Sequence, residues 1–259
     1  MSAGEEHATV LGRPAVFRRR RGPASAGPPV VLLHGAGGNH RSFDELVDAL
    51  DREDVIAPAL PGRAGAGGPA PSTAAEAAAF VRALLAAIGV DRFALMGHSY
   101  GGAVAIELAL ADAAAARPGV TAVALVATGA RLRVHPAILA AARAAAAGEG
   151  PPVDLRAVFQ PDVDPGLFAR FEARTAEVPA ASTLADWLAV DAFDRLGALA
   201  PIRAPLVALA GTRDALTPPR YAQYLADRIA GARAVLVPGA GHMMPVEHPA
   251  AVVDALRAL

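Results

Sequence analysis

Six short runs of apolar residues punctuate this chain, at positions 29–33, 55–60, 93–96, 120–127, 206–210 and 234–237. Each is too short for a buried helix and is bounded by Gly, Pro or charged residues, so each reads as a strand buried on both faces. Segments with helical spacing lie between them. Ser42 with Glu45 has the pattern of a capping box ahead of Phe43, Leu46, Val47 and Leu50. Thr73 with Glu76 repeats the pattern ahead of Phe80, Leu84 and Ile88, which share one helical face. A further helix begins directly after the 93–96 run, near Gly101, and residues 221–229 and 249–259 supply two more. Apolar strands alternating with helices predict an α/β fold, with a mostly parallel sheet flanked by helices. Residues 7–20 are expected to add an antiparallel hairpin at one edge.

One stretch breaks the alternation. Residues 131–194 have helical composition, are punctuated by Pro136, Pro151, Pro152, Pro161, Pro165 and Pro179, and contain no convincing strand. They hold Phe159, Phe168, Phe171, Phe193 and the single Trp187. The stretch reads as a helical cap inserted between two strands, with residues 1–130 and 195–259 forming the core. No internal repeat is apparent.

Composition removes several classes of chemistry. A chain of 259 residues buries a sizeable core without disulfide staples. There is no cysteine, so disulfides, thiolate metal sites and a Cys nucleophile are excluded. There is no lysine either, all 24 basic residues being arginine, so Schiff-base chemistry is closed. The net charge of −1 leaves no electrostatic footprint for nucleic acid. The run Arg18 to Arg21 reads as the solvated end of a strand rather than as a polyanion site. The first ten residues carry Glu5 and Glu6 and lack the apolar core of a signal peptide. The longest apolar helical stretch, 103–116, is interrupted by Glu107 and Asp112, and a spanning helix needs about 20 apolar residues. A cytoplasmic protein with no nucleic-acid or membrane partner is expected, of undetermined oligomeric state. The 66 alanines say little about chemistry.

The strongest chemical signal is Gly97-His98-Ser99-Tyr100-Gly101, placed between an apolar strand and a helix. With 25 Gly and six Ser, chance gives about 0.06 matches to Gly-x-Ser-x-Gly. A serine on a sharp strand-to-helix turn is exposed above the sheet, and side chains two residues on either side would collide, which requires Gly97 and Gly101. The helix that follows aims its amino terminus at the serine. Such a turn makes Ser99 a candidate nucleophile, which needs a base. In this arrangement the acid and then the histidine follow the serine along the chain. His242, in the loop after the sixth run, is the base candidate, and Asp214, just after the fifth, is the acid. Residues 128–134 contain no Asp or Glu that could replace it. His248 reads as structural and Asp227 as solvated.

An oxyanion requires two pre-positioned donors. One candidate is the backbone N–H of Tyr100; the other comes from His34-Gly35-Ala36-Gly37-Gly38, with Ala36 favoured and Gly37 next. These glycines fit neither a dinucleotide fingerprint nor a P-loop. His34 and His98 are read as holding loop geometry, and His34 is also counted among the residues that border substrate. Phe159, Phe168, Phe171, Trp187 and Met243, with Met244 beside it, are the candidates for an apolar pocket.

Taken together, His34-Gly35, Gly97 to Gly101, Asp214 and His242 resemble the α/β-hydrolase family over residues 28–259. The resemblance implies Ser99 as nucleophile, His242 as general base and then acid, Asp214 orienting the imidazole, and no metal or cofactor. A small ester-like molecule is the implied partner. Ser99 in place of Asp sets the chain apart from the dehalogenase-like and epoxide-hydrolase-like branches. The missing Cys and Lys do the same for the dienelactone-hydrolase-like and hydroxynitrile-lyase-like branches. Ester, thioester or lactone hydrolysis remains, with carboxylesterase the broadest choice. Carbon–carbon bond hydrolysis, cofactor-free perhydrolysis and a slowly turning-over small-molecule receptor stay open.

Overall fold

In the computed structural model, which describes residues 3–23, 27–63 and 65–259, eight strands form one sheet in the order β1-β2-β4-β3-β5-β6-β7-β8. Of the amino-terminal segment read as lacking a leader, Met1 and Ser2 lie outside the described residues. The hairpin expected over residues 7–20 is β1 (Gly4–Val10) paired antiparallel with β2 (Arg13–Arg20). β2 in turn pairs antiparallel with β4 (Val55–Pro58). The six apolar runs are β3 (Val30–Leu33), β4, β5 (Phe93–His98), β6 (Val120–Val126), β7 (Leu206–Gly211) and β8 (Arg233–Val237), parallel throughout.

Alternation along these strands divides the core. Val31, Leu33, Leu95, Val123, Leu125 and Ala208 face one side, packed by α2 (Ala74–Ala87), α3 (Tyr100–Ala113) and α7 (Pro219–Arg228). Val30, Leu32, Met96, Ala124, Val126 and Val207 face the other, packed by α1 (Asp44–Ala49), α8 (Met244–Glu247) and α9 (Pro249–Arg257). Five of the six runs lie inside the sheet and have no polar side to expose, which is why they are apolar without alternation. The sixth, β8, expected to be buried on both faces too, is instead the edge strand: none of its residues is fully buried and Leu236 is exposed.

The chain leaves β3 toward β4 on one side and returns to β5 on the other. This reversal opens a crevice beyond the carboxyl ends of β3 and β5, where ligands bind in open α/β sheets.

Two local expectations are corrected. Ser42 and Glu45 do not form a capping box. α1 starts at Asp44 with Phe43 at its N-cap, and the Ser42 hydroxyl accepts from the Asn39 N–H at 2.9 Å. Both Glu45 carboxylate oxygens instead accept from the Arg174 guanidinium at 2.8 Å. A two-pronged charged pair outcompetes a single bond to the helix's own backbone. The Arg18–Arg21 run is not solvated, because β2 lies inside the sheet. Arg18 pairs with Asp44 at 3.2 Å and Arg19 with Asp54 at 2.8 Å. Arg20 is buried and donates to the carbonyls of Val47 and Glu53. Only Arg21, paired with Glu6, is well exposed. At the second proposed box, the Glu76 N–H does donate to the Thr73 hydroxyl, at 3.1 Å.

Between β6 and β7 the chain makes its long excursion: α4 (Pro136–Ala147), a 3-10 turn at Arg156–Val158, α5 (Pro165–Thr175) and α6 (Ala180–Ala192). A single bridge between Arg131 and Asp194 closes its base. Trp187 and Val190 of α6 join one core cluster, while Phe171 of α5 joins the other with Phe159. The excursion therefore straddles the sheet edge above the crevice.

Candidate active site

Ser99 stands between β5 and α3 with φ 53° and ψ −117°. Its backbone is held on both sides: its N–H donates to the Val126 carbonyl at 3.0 Å, and its carbonyl accepts from the Thr128 hydroxyl at 2.8 Å. A Cβ on Gly97 would strike the Gly101 carbonyl, and one on Gly101 would strike the Leu33 carbonyl. These two glycines let α3 rise against the end of β3, and the strain at Ser99 persists because the surrounding bonds over-determine it.

Asp214 and His242 meet above β7 and β8. The His242 Nδ1–H donates to Asp214 Oδ2 at 3.0 Å, which leaves Nε2 as the basic nitrogen. Thr217 donates to the same oxygen through its hydroxyl at 2.6 Å, and the N–H groups of Leu216 and Thr217 donate to Oδ1 at 2.9 Å. Burial pushes the Asp214 carboxyl up, but the bond to His242, its charge and the Thr217 donors outweigh burial and hold the carboxyl below its usual range. The ionised form is thereby kept beneath the imidazole.

His98 lies against His242, with ring centroids 4.9 Å apart and planes tilted by 53°, and its Nε2–H donates to the His242 carbonyl at 2.9 Å. His34 donates through Nδ1–H to the Gly35 carbonyl at 2.9 Å and accepts from the Leu60 N–H. Burial pushes both imidazoles down to about 3, reinforced at His34 by Arg63 and at His98 by His242. Both stay neutral, and each tautomer is fixed by its carbonyl partner.

Ser99 and His242 line one narrow cleft, together with Gly35, Ala36, His98 and an apolar wall of Phe43, Phe171, Trp187 and Met243. Among the described residues the Ser99 hydroxyl makes no hydrogen bond. Several expected lining residues are elsewhere. Phe159 and Phe168 do not border the cleft. They pack edge-on behind it, Phe159 against Phe168 at 5.3 Å and against Phe171 at 5.1 Å, because stacking the rings buries more apolar surface than facing an open cleft. His34 lies beneath the loop, engaged with backbone, and does not line the cleft.

The amide candidates also separate. Gly37 is not available as a donor into the cleft, since its N–H is committed to Asp186 Oδ2 at 2.9 Å. The Ala36 and Tyr100 amides take no partner among the described residues.

Comparison with known proteins agrees with this architecture. The model of the alpha/beta hydrolase family matches residues 30–255. The chain belongs to the alpha/beta hydrolase family. As an alpha/beta hydrolase it is 31% identical over 258 residues to a pimeloyl-[acyl-carrier protein] methyl ester esterase of Neisseria meningitidis serogroup B, covering 93% of this chain and 95% of that protein. It is 32% identical to the polyketide synthase ThaQ of Burkholderia thailandensis over 98% of its own length, but spans only 13% of that synthase. Among solved structures, the enol-lactonase of Burkholderia xenovorans superposes with a TM-score of 0.84 at 24% identity over 98% of both chains. A thermophilic esterase gives 0.80 at 26% identity, covering 99% of this chain and 97% of that one. The first of these two likenesses speaks for the fold alone.

Two features of this alpha/beta hydrolase were missed in the sequence. Thr217 follows Asp214 at a spacing that closes a local turn, and Asp-x-x-Thr is a pattern that could have flagged it. Asp186 carries no such mark; it sits in α6 as one acidic residue among apolar neighbours. Among the described residues no helix is long and apolar enough to cross a membrane.

Proposed function

We propose that this alpha/beta hydrolase is a serine hydrolase that cleaves a carboxylic ester, thioester or lactone of a small to medium apolar substrate through an acyl-enzyme. The observation that carries the reading is the meeting of Ser99, at its strained turn, with the Asp214–His242 pair around one cleft.

In this mechanism Ser99 Oγ attacks the substrate carbonyl carbon while His242 Nε2 takes the hydroxyl proton. The carbonyl π electrons move to oxygen, and the resulting oxyanion accepts from the amides of Ala36 and Tyr100. The tetrahedral intermediate collapses, the bond to the leaving group breaks, and His242 returns its proton to that group. Water then repeats the sequence on the acyl-enzyme, releasing the acid and restoring Ser99. Asp214 fixes the imidazole tautomer and stabilises the imidazolium.

Residues 131–194 act as a cap in this reading, Phe171 and Trp187 supplying the apolar wall for acyl or alcohol groups. The Neisseria relative, by its name an esterase of a methyl ester on a carrier-bound acyl chain, supports ester chemistry; the present substrate is assigned only to the ester class.

The test is hydrolysis of p-nitrophenyl acetate and butyrate by the wild-type protein and by Ser99→Ala. Loss of at least about 10⁴-fold in kcat is expected for the variant. Hydrolysis that continues at the wild-type rate rules the mechanism out. A panel over acyl length, thioesters and lactones then ranks the substrate class.

A further inference from the structure

Loop 34–38 closes its own turn but does not by itself fix the orientation of its central peptide. Its Gly38 N–H donates to the Gly35 carbonyl at 3.1 Å, and Gly37 at the third turn position has φ +70°, as type II turns require. The two turn types that share this closure differ by a flip of the central peptide, here the one joining Ala36 to Gly37. What fixes that peptide comes from far along the chain. Asp186 Oδ2, on α6 of the excursion, accepts the Gly37 N–H at 2.9 Å. The same carboxylate is gripped at both oxygens by Arg63, at 2.6 and 2.8 Å, and Arg63 Nη1 also donates to the Gly38 carbonyl at 3.3 Å. Both side chains are 0% exposed. α6 is pinned alongside by the Ser182 hydroxyl, which donates to the Gly62 carbonyl at 2.6 Å.

A buried ion pair between a loop and a helix of an apolar core is weak evidence for stability alone, since well-packed apolar residues serve that purpose as well or better. Here both partners also bond the backbone of the loop that borders the cleft beside Ser99. We propose that Asp186, held by Arg63, is a positioning residue that sets loop 34–38 for oxyanion stabilisation, so that the excursion builds part of the donor site it covers. Trp187, the next residue, lines the cleft, and one helix therefore presents both the substrate wall and the brace of the loop. The assignment rests on the serine-hydrolase reading for its catalytic part, while the placement of the loop is measurable without activity.

The experiment compares the wild-type enzyme with two paired variants that leave no orphan buried charge. Arg63→Met with Asp186→Leu removes the acceptor for Gly37, whereas Arg63→Met with Asp186→Asn keeps a neutral one. Melting curves verify that each is folded. On p-nitrophenyl butyrate the Leu pair should lose about ten- to a hundredfold in kcat with KM little changed, and the Asn pair should recover much of that loss.

The decisive readout is a thionoester of the same acyl group. Its sulfur is a larger and weaker acceptor, so a well-set pair of amides discriminates against it. The rate ratio of oxygen ester to thionoester should shrink in the Leu pair and return toward wild type in the Asn pair. In parallel, hydrogen exchange in a peptide spanning residues 33–40 should quicken in the Leu pair. Unchanged exchange, or a loss confined to KM with the oxygen-to-sulfur ratio intact, overturns the proposal. Absence of any ester hydrolysis by the wild type would instead count against the serine-hydrolase reading, with the exchange measurement still deciding whether Asp186 sets the loop.

Discussion

The two ends of the cleft are built on different plans. At the end proposed for acid–base chemistry, Asp214, Leu216 and Thr217 lie within four positions and close their own turn around one carboxylate, to which His242 is added from the loop after β8. At the proposed donor end, loop 34–38 is bonded to Arg63 and to Asp186, the latter 149 residues from its partner Gly37. A local turn is specified by neighbours and survives changes elsewhere; a loop braced from a distant helix is only as well placed as the packing of that helix. The acid–base end should therefore fail chemically while keeping its shape, and the donor end should loosen as it fails.

The largest effect that tests this contrast is at Asp214. Asp214→Asn keeps an acceptor for the turn amides but removes the charge under the imidazole, and kcat should fall by about 10³- to 10⁴-fold. KM and melting temperature should change little. A large drop in stability would show that this end, too, depends on its buried carboxylate for its architecture.

Acid should act on the floor shared by both ends. His34 and His98 have native pKa values pushed down by burial to about 3, whereas unfolded they titrate near 6.5. Between these values the unfolded chain binds protons that the native one does not, so stability rises with pH there. Their contribution is complete above about pH 6.5 and is lost as pH falls toward 3, with a slope approaching roughly 2–3 kcal/mol per pH unit once both titrate. Urea unfolding from pH 7 to pH 4 measures it. A flat profile would show that neither imidazole is held neutral.

A smaller effect is expected at Thr217. Thr217→Val deletes the hydroxyl that donates to Asp214 Oδ2 but leaves the two backbone donors to Oδ1. One hydrogen bond to a charged group is worth about 1.5–3 kcal/mol, and the remaining donors absorb part of that loss, so kcat should drop roughly tenfold. A loss equal to that of Asp214→Asn would mean that the hydroxyl, not the carboxylate, orders the imidazole.

Legibility in the sequence follows the same division. The parallel strands, the turn at Ser99 and the Asp214–His242 pair were readable because each depends on a short segment: an apolar run, a pair of glycines two residues from a serine, a polar residue after a strand. The Ser42–Glu45 pattern misled because Arg174, 129 residues beyond Glu45, offered its carboxylate a better partner than its own helix. The Arg18–Arg21 run looked solvated because Asp44, Asp54 and the carbonyls that neutralise it lie outside the segment. Gly37 stood next after Ala36 as a donor candidate, and nothing near it in the chain marks Asp186 as the acceptor that takes its amide. Aromatic content in residues 131–194 located the apolar wall but could not separate Phe171, which borders the cleft, from Phe159 and Phe168, which stack behind it.

What the amino-acid sequence determined by itself was the order of strands and helices and the types of residue brought toward the chemistry. These are local matters, governed by hydrophobic period, by glycine where backbone comes close, and by turn residues. Only the tertiary structure decided which amides stay free, which histidines are sealed neutral, and that the excursion braces the loop over which it lies. Those outcomes depend on which distant donors and acceptors meet once water is excluded. A buried polar group must then find its partner wherever the fold supplies one, and sequence separation has no bearing on where that is.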